Sequence, residues 1–127
     1  MRKLIKNKIN IDKFLDELMN YLNNNIMTIY YEETPKNASY PYGVIPDLSI
    51  STLDYGLQCL FDIELYINEL SESNVEELCD NLRIALDGYS YNDNEIGFHV
   101  YFDSQYLGKM TEQDSTMRRV TFIARIF

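Results

Sequence analysis

Residues 56–67 read Gly56-Leu57-Gln58-Cys59-Leu60-Phe61-Asp62-Ile63-Glu64-Leu65-Tyr66-Ile67. Leu57, Cys59, Phe61, Ile63, Leu65 and Ile67 fall on one parity. Gln58, Asp62, Glu64 and Tyr66 fall on the other, with Leu60 as the exception. Side chains alternate between the two faces of a strand, so a period of two over a dozen residues predicts a long strand with one buried face. A strand of this kind needs a layer packed against that face and further strands beside it.

The flanking sequence supplies both. On the C-terminal side, residues 74–87 predict a helix. Val75, Leu78, Cys79, Leu82, Ala85 and Leu86 form its apolar stripe, Ser73 and Glu76 make a capping-box signature, and Gly88 stands at the C-cap. Residues 95–103 alternate again, residues 104–117 read as a polar loop, and residues 118–127 form a terminal strand. On the N-terminal side, residues 41–51 are extended, and Pro46 places that segment at an edge or a bulge. Residues 26–33 are rich in β-formers, and Thr34 to Ser39 supply turn residues. Residues 9–23 carry Ile11, Phe14, Leu15, Leu18 and Leu22 on one helical face. Asn23-Asn24-Asn25 ends that helix, and a basic arm of residues 1–8 precedes it. The order α-β-β-β-α-β-β predicts an α+β two-layer sandwich, with a mainly antiparallel sheet and both helices on one face.

The chain has 127 residues, a length suited to one domain. At 46% hydrophobic and 24% charged it is globular in composition. Eleven bases against twenty acids leave a net charge of −9, which argues against a general nucleic-acid binder and against docking on an anionic membrane. The sequence starts with Arg2, Lys3 and Lys6, but Lys8, Asp12, Lys13 and Asp16 interrupt any apolar run, so it reads as lacking a secretory signal. An acidic domain acting through a protein partner is the expectation.

The residues offer little to catalysis. His99 is the one histidine, on the polar parity of its strand. Cys59 and Cys79 lie in the apolar registers of their elements, where thiols are inert. There is no nucleophile elbow and no phosphate loop. Asp62, Glu64, Glu69, Glu72, Glu76, Glu77 and Asp80 form an acidic run without a base, which reads as a solvated surface. No catalytic residue, metal ligand or cofactor is expected.

The stretch from Ile29 to Pro46, Ile-Tyr-Tyr-Glu-Glu-Thr-Pro-Lys-Asn-Ala-Ser-Tyr-Pro-Tyr-Gly-Val-Ile-Pro, resembles the front of tailed-phage tail-terminator and tail-completion proteins. The alternating strand from Leu57 to Ile67, the helix from Val75 to Leu86 and the closing Arg118-Arg119-Val120 occupy the places that follow in that family. Asp47 after Pro46 departs from the small residue expected there. The resemblance implies a virion or phage-tail-like (bacteriocin) particle protein without an active site, assembled in the host cytoplasm. It implies a homohexameric ring that caps the head-proximal end of the tail tube and stops its polymerisation. Its partners would be the tail tube protein and a neck, connector or collar protein, with the sheath in contractile tails, and DNA would only pass through the channel.

A ring needs contacts between neighbours. The candidates are Arg2, Lys3, Lys6 and Lys8 of the arm, Thr34, Lys36 and Tyr40 of the first loop, and Tyr42 after it. Glu76 and Glu77 of the second helix, Tyr106 and Lys109 of the second loop, and Arg118 and Arg119 complete the set. Arm and acidic run are opposite in sign, so a head-to-tail contact between them would close a ring. The competing expectation is a small acidic intracellular inhibitor of the immunity-protein kind, monomeric or dimeric. An enzyme using the carboxylates ranks third.

Overall fold

The computed structural model describes residues 2–68, 75–109 and 116–127. The elements are α1 (Arg2–Asn25), β1 (Ile29–Tyr31), β2 (Tyr42–Ile45), β3 (Leu48–Leu53), β4 (Gly56–Ile67), α2 (Val75–Leu86), β5 (Ser90–Asn92), β6 (Gly97–Lys109) and β7 (Thr116–Ile126). The strands form one sheet ordered β1-β2-β4-β7-β6-β5, with β3 also on β4. Both helices cover one face, giving the expected α+β architecture in two layers.

The strand β4 is central, as its alternation requires. Its inward residues Leu57 to Ile67 are all buried, and it pairs with β7 from Leu57↔Ile126 to Ile67↔Thr116. On its other side β3 takes the first half (Leu48↔Phe61 to Leu53↔Gly56) and β2 the second (Tyr42↔Tyr66 to Val44↔Glu64). The predicted segment 41–51 is therefore two strands, interrupted at Pro46, whose missing N–H cannot continue a ladder.

The core joins Phe14, Leu18 and Leu22 of α1, Cys79, Leu82 and Leu86 of α2, and the inward parity of the sheet. Phe14 meets Phe98 edge-on with ring centroids 4.9 Å apart, and Phe61 stacks on Phe122 at 5.8 Å. Arrangements of this kind contribute about 0.5–1.5 kcal/mol beyond burial. Asn23, in the last turn of α1, holds the next strand: its Oδ1 accepts from Ile29 N–H at 2.9 Å, and its Nδ2 donates to Ile29 O at 3.1 Å. Gly88 closes α2 at φ +86°, and its N–H donates to Val100 O at 2.7 Å, joining the helix end to β6.

Four further expectations are corrected. Residues 2–8 are not an arm but the first turns of α1, since nothing between Arg2 and Asn10 breaks a helix. β1 is short and pairs with β2 in parallel, because the chain between them is long enough to return to the same end. β5 is an additional strand. The expected loop from residue 104 is instead β6 as far as Lys109, and residues 110–115 lie outside the described residues. A bulge between Phe102 and Ser104 breaks the alternation where the predicted strand stopped. The proposed capping residue Ser73 also lies outside the described residues.

Candidate assembly interface

The helices leave the second face of the sheet open. Register determines what meets there. Val44↔Glu64↔Arg119 runs across three strands, followed by Asp62↔Thr121↔Ser104 and Leu60↔Ile123↔Tyr101. Leu60 is 40% exposed and Tyr101 45%, so an apolar stripe crosses a polar face.

Tyrosines gather at one end. Tyr42 stacks on Tyr66 with centroids 5.3 Å apart, meets Tyr30 at 5.8 Å edge-on, and lies 5.5 Å from Tyr40. The Tyr66 hydroxyl donates to Glu64 Oε1 at 3.4 Å. Burial pushes the Tyr42 and Tyr66 phenols above their ordinary range, with Glu64 adding to the shift at Tyr66. Clustered tyrosines offer rigid apolar area with polar tips, the composition favoured at protein contacts. Tyr40 and Tyr42 are candidates from the sequence; Tyr30 and Tyr66 join them only through cross-strand register.

The arginine pair divides as its alternation requires. Arg118 faces the helices, where its Nε lies 3.5 Å from Glu76 Oε1. Arg119 faces the open side, where its Nε lies 3.8 Å from Asp62 Oδ2, and Asp62 also accepts from Thr121 Oγ1 at 2.6 Å. Both find acidic groups within the chain. Glu77 is exposed on α2, and Thr34 and Lys36 are exposed between β1 and β2. Arg2, Lys3, Lys6 and Lys8 lie in α1, and Tyr106 and Lys109 in β6. The structure thus brings together Tyr40 with Tyr42, and Arg118 with Glu76. Thr34 and Lys36 lie on the β1–β2 connection that also carries Tyr40.

His99 Nδ1 contacts Ser90 Oγ, and its ring meets Phe127 edge-on at 5.6 Å. Among the described residues no carboxylate hydrogen-bonds this imidazole. Burial pushes the Cys59 thiol up to about 12 and the Cys79 thiol up to about 11, which leaves both protonated at neutral pH. Among the described residues no three ligating side chains converge as a metal site, and no helix is long and apolar enough to cross a membrane. Among the described residues, a surface depression of about 310 Å³ lies between Tyr55, Leu57 and Phe127.

No family model matches the sequence, and no curated protein matches it. Among solved structures, a chain of the structure titled "Virion of native gene transfer agent (GTA) particle" shares the fold. The superposition has a TM-score of 0.60 at 14% identity and covers 76% of this chain and 77% of that one.

Proposed function

We propose that this chain is a structural protein of a phage-like particle, and within it the tail terminator. The observation that carries the reading is the fold shared with a chain of a gene transfer agent virion over about three-quarters of each. The resemblance of Ile29–Pro46 and of the closing Arg118-Arg119-Val120 to tail-terminator proteins narrows it to the tail. In this role six copies form a ring on the head-proximal end of the tube, stop its growth and present a docking surface to the neck or collar. The reading needs no catalytic residue, metal or cofactor. The open sheet face supplies what an assembly protein needs: a tyrosine cluster and an apolar stripe beside it. A net charge of −9 suits a ring through which DNA passes without adhering.

The test is deletion of the gene from its particle and measurement of tail length by electron microscopy. Tails of uncontrolled length, restored to normal by the wild-type chain, are expected. Tails of normal length in the deletion overturn the terminator role. Mass measurement of the purified protein on isolated tubes then gives six copies per tube end, whereas one or two copies bound to a basic partner would favour an inhibitor.

A further inference from the structure

We infer that β3 is a docking edge for an extended, basic-ended segment of another protein, which adds to the sheet as a further strand. Among the described residues β3 pairs with β4 alone, so its outer edge presents unpaired backbone groups. Exposed edges are normally guarded by charge, proline or a bulge. From Leu48 to Leu53 the sequence is Leu-Ser-Ile-Ser-Thr-Leu, six residues without any of these guards. Ile50 lies on the helix-facing side of the sheet and is still 39% exposed, so the core layer stops short of this strand. The other edges differ. β1 and β5 have three residues each. The β6 edge is met at Phe102 N–H by Asp87 Oδ1 and then carries Asp103 and Lys109.

Charge selects the occupant. Asp47 and Asp54, both exposed, stand at the two ends of β3, and exposed Glu32 and Glu33 follow β1 nearby. Glu32 N–H donates to Ile45 O at 2.9 Å, two residues before Asp47, which puts both acids on one flank. A second copy of β3 laid antiparallel would bring Asp47 of one chain alongside Asp54 of the other, between two chains of net charge −9. The chain's own basic cluster, Arg2 to Lys8, is helical and cannot add as a strand. The fitting occupant is therefore a different protein's segment, with alternating apolar residues over the β3 span and Lys or Arg at its ends. Backbone hydrogen bonds supply affinity, and the end charges supply selection. The inference rests on the edge itself. The reading of the chain as a particle component only suggests that such a partner is another particle protein.

The experiment uses the purified full chain and three labelled nonapeptides in fluorescence anisotropy at about 50 and about 300 mM salt. The first is Lys-Lys-Val-Thr-Val-Thr-Val-Lys-Lys, the second has Glu in place of every Lys, and the third is the first with alternate amides N-methylated. The Lys-ended peptide is expected to bind at least about tenfold more tightly than either of the others, less tightly at high salt, and to slow amide exchange within 48–53. Asp47→Lys combined with Asp54→Lys, both at exposed positions, should reverse the preference between Lys and Glu ends. No binding, equal binding of the three peptides, or protection elsewhere overturns the inference. The particle is absent from this experiment, so its failure is distinct from failure of the tail-length test.

Discussion

Arg118 Nε lies 3.5 Å from Glu76 Oε1, joining the face of β7 that points at the helices to the first turn of α2. The pair is asymmetric: the Arg118 side chain is 13% exposed and that of Glu76 62%. The Glu76 carboxylate is therefore screened by water, whereas Arg118 is held largely out of it. Glu76→Gln should cost under about 0.5 kcal/mol, while Arg118→Ala should cost about 1–3 kcal/mol. Arg118→Met, which keeps the stem, should recover most of that loss. Urea denaturation midpoints measure all three. A large loss with Glu76→Gln would contradict the ranking. Because reversing Glu76 would set a like charge against the largely buried Arg118, Glu77 is the cleaner position for charge reversal in assembly assays.

Adjacent residues of β4 and β7 should behave oppositely. Phe122 is fully buried against Phe61, so Phe122→Ala should cost about 3–5 kcal/mol. Leu60, one position from Phe61, faces the open side, and Leu60→Ala should change the stability of the isolated chain by less than about 0.5 kcal/mol. Under the proposed function its effect should appear instead in ring or tube binding. Thermal melts paired with a binding assay separate the two, and equal destabilisation by both variants would mean the register is misplaced.

Two glycines have positive φ for different reasons. At Gly56, with φ +133°, an added Cβ would meet Ile126 O at 2.1 Å, a backbone atom held by the β4–β7 ladder. At Gly88, with φ +86°, a Cβ would meet nothing within 4 Å. Gly88→Ala should therefore show only the conformational cost, about 1 kcal/mol. Gly56→Ala should exceed about 3 kcal/mol or abolish folding, because strain and a backbone clash combine there. The comparison needs only soluble yield and melting temperature.

The thiols offer a solvent-access test. Cys59 and Cys79 are buried, with pKa values pushed up to about 12 and about 11 chiefly by desolvation. Thiolate is the reactive form, so both should resist iodoacetamide at pH about 8 in the native state and label promptly in denaturant. Native labelling of Cys79 ahead of Cys59 would report local opening of α2, whereas prompt labelling of both would contradict the buried core.

Much of the architecture is visible in local pattern. The alternation from Leu57 to Ile67, the stripe from Val75 to Leu86 and Gly88 after it each reflect one residue's relation to its near neighbours. What escapes is set at a distance. The parallel pairing of Ile29 with Gly43 depends on the path of the chain between them, and Ser90–Asn92 becomes a strand only because β6 lies beside it. Ser104 to Lys109 looks like a loop because the bulge after Phe102 breaks the alternation. The interface is less legible still, since Tyr30, Tyr42 and Tyr66 come from three strands and carry no shared motif. The arginine pair was half legible: alternation placed the two side chains on opposite faces, while Glu76 and Asp62 as their partners required the fold.

Asp93 should govern part of the acid response. Its carboxyl is held down at about 2, first by the Tyr91 hydroxyl donating to Oδ2 at 2.7 Å. The N–H groups of Glu95 and Ile96 donate to Oδ1 at 2.8 and 2.9 Å, and the Lys13 ammonium lies 3.7 Å away. A carboxylate with a native pKa below its unfolded value stabilises the fold above the ordinary carboxylate range. That contribution disappears as pH falls through about 2. Asp93→Asn should therefore be less stable than wild type at neutral pH, and should lose less of its melting temperature between pH about 4 and about 2. Tyr91→Phe should raise the Asp93 pKa more than Lys13→Met, because the hydroxyl is the largest cause and the ammonium the smaller one. Carbon-detected titration of the Asp93 carboxyl reads both changes. If Lys13→Met moved it further than Tyr91→Phe, the ion pair to α1, and not the turn's own hydrogen bonds, would be what holds this proton off.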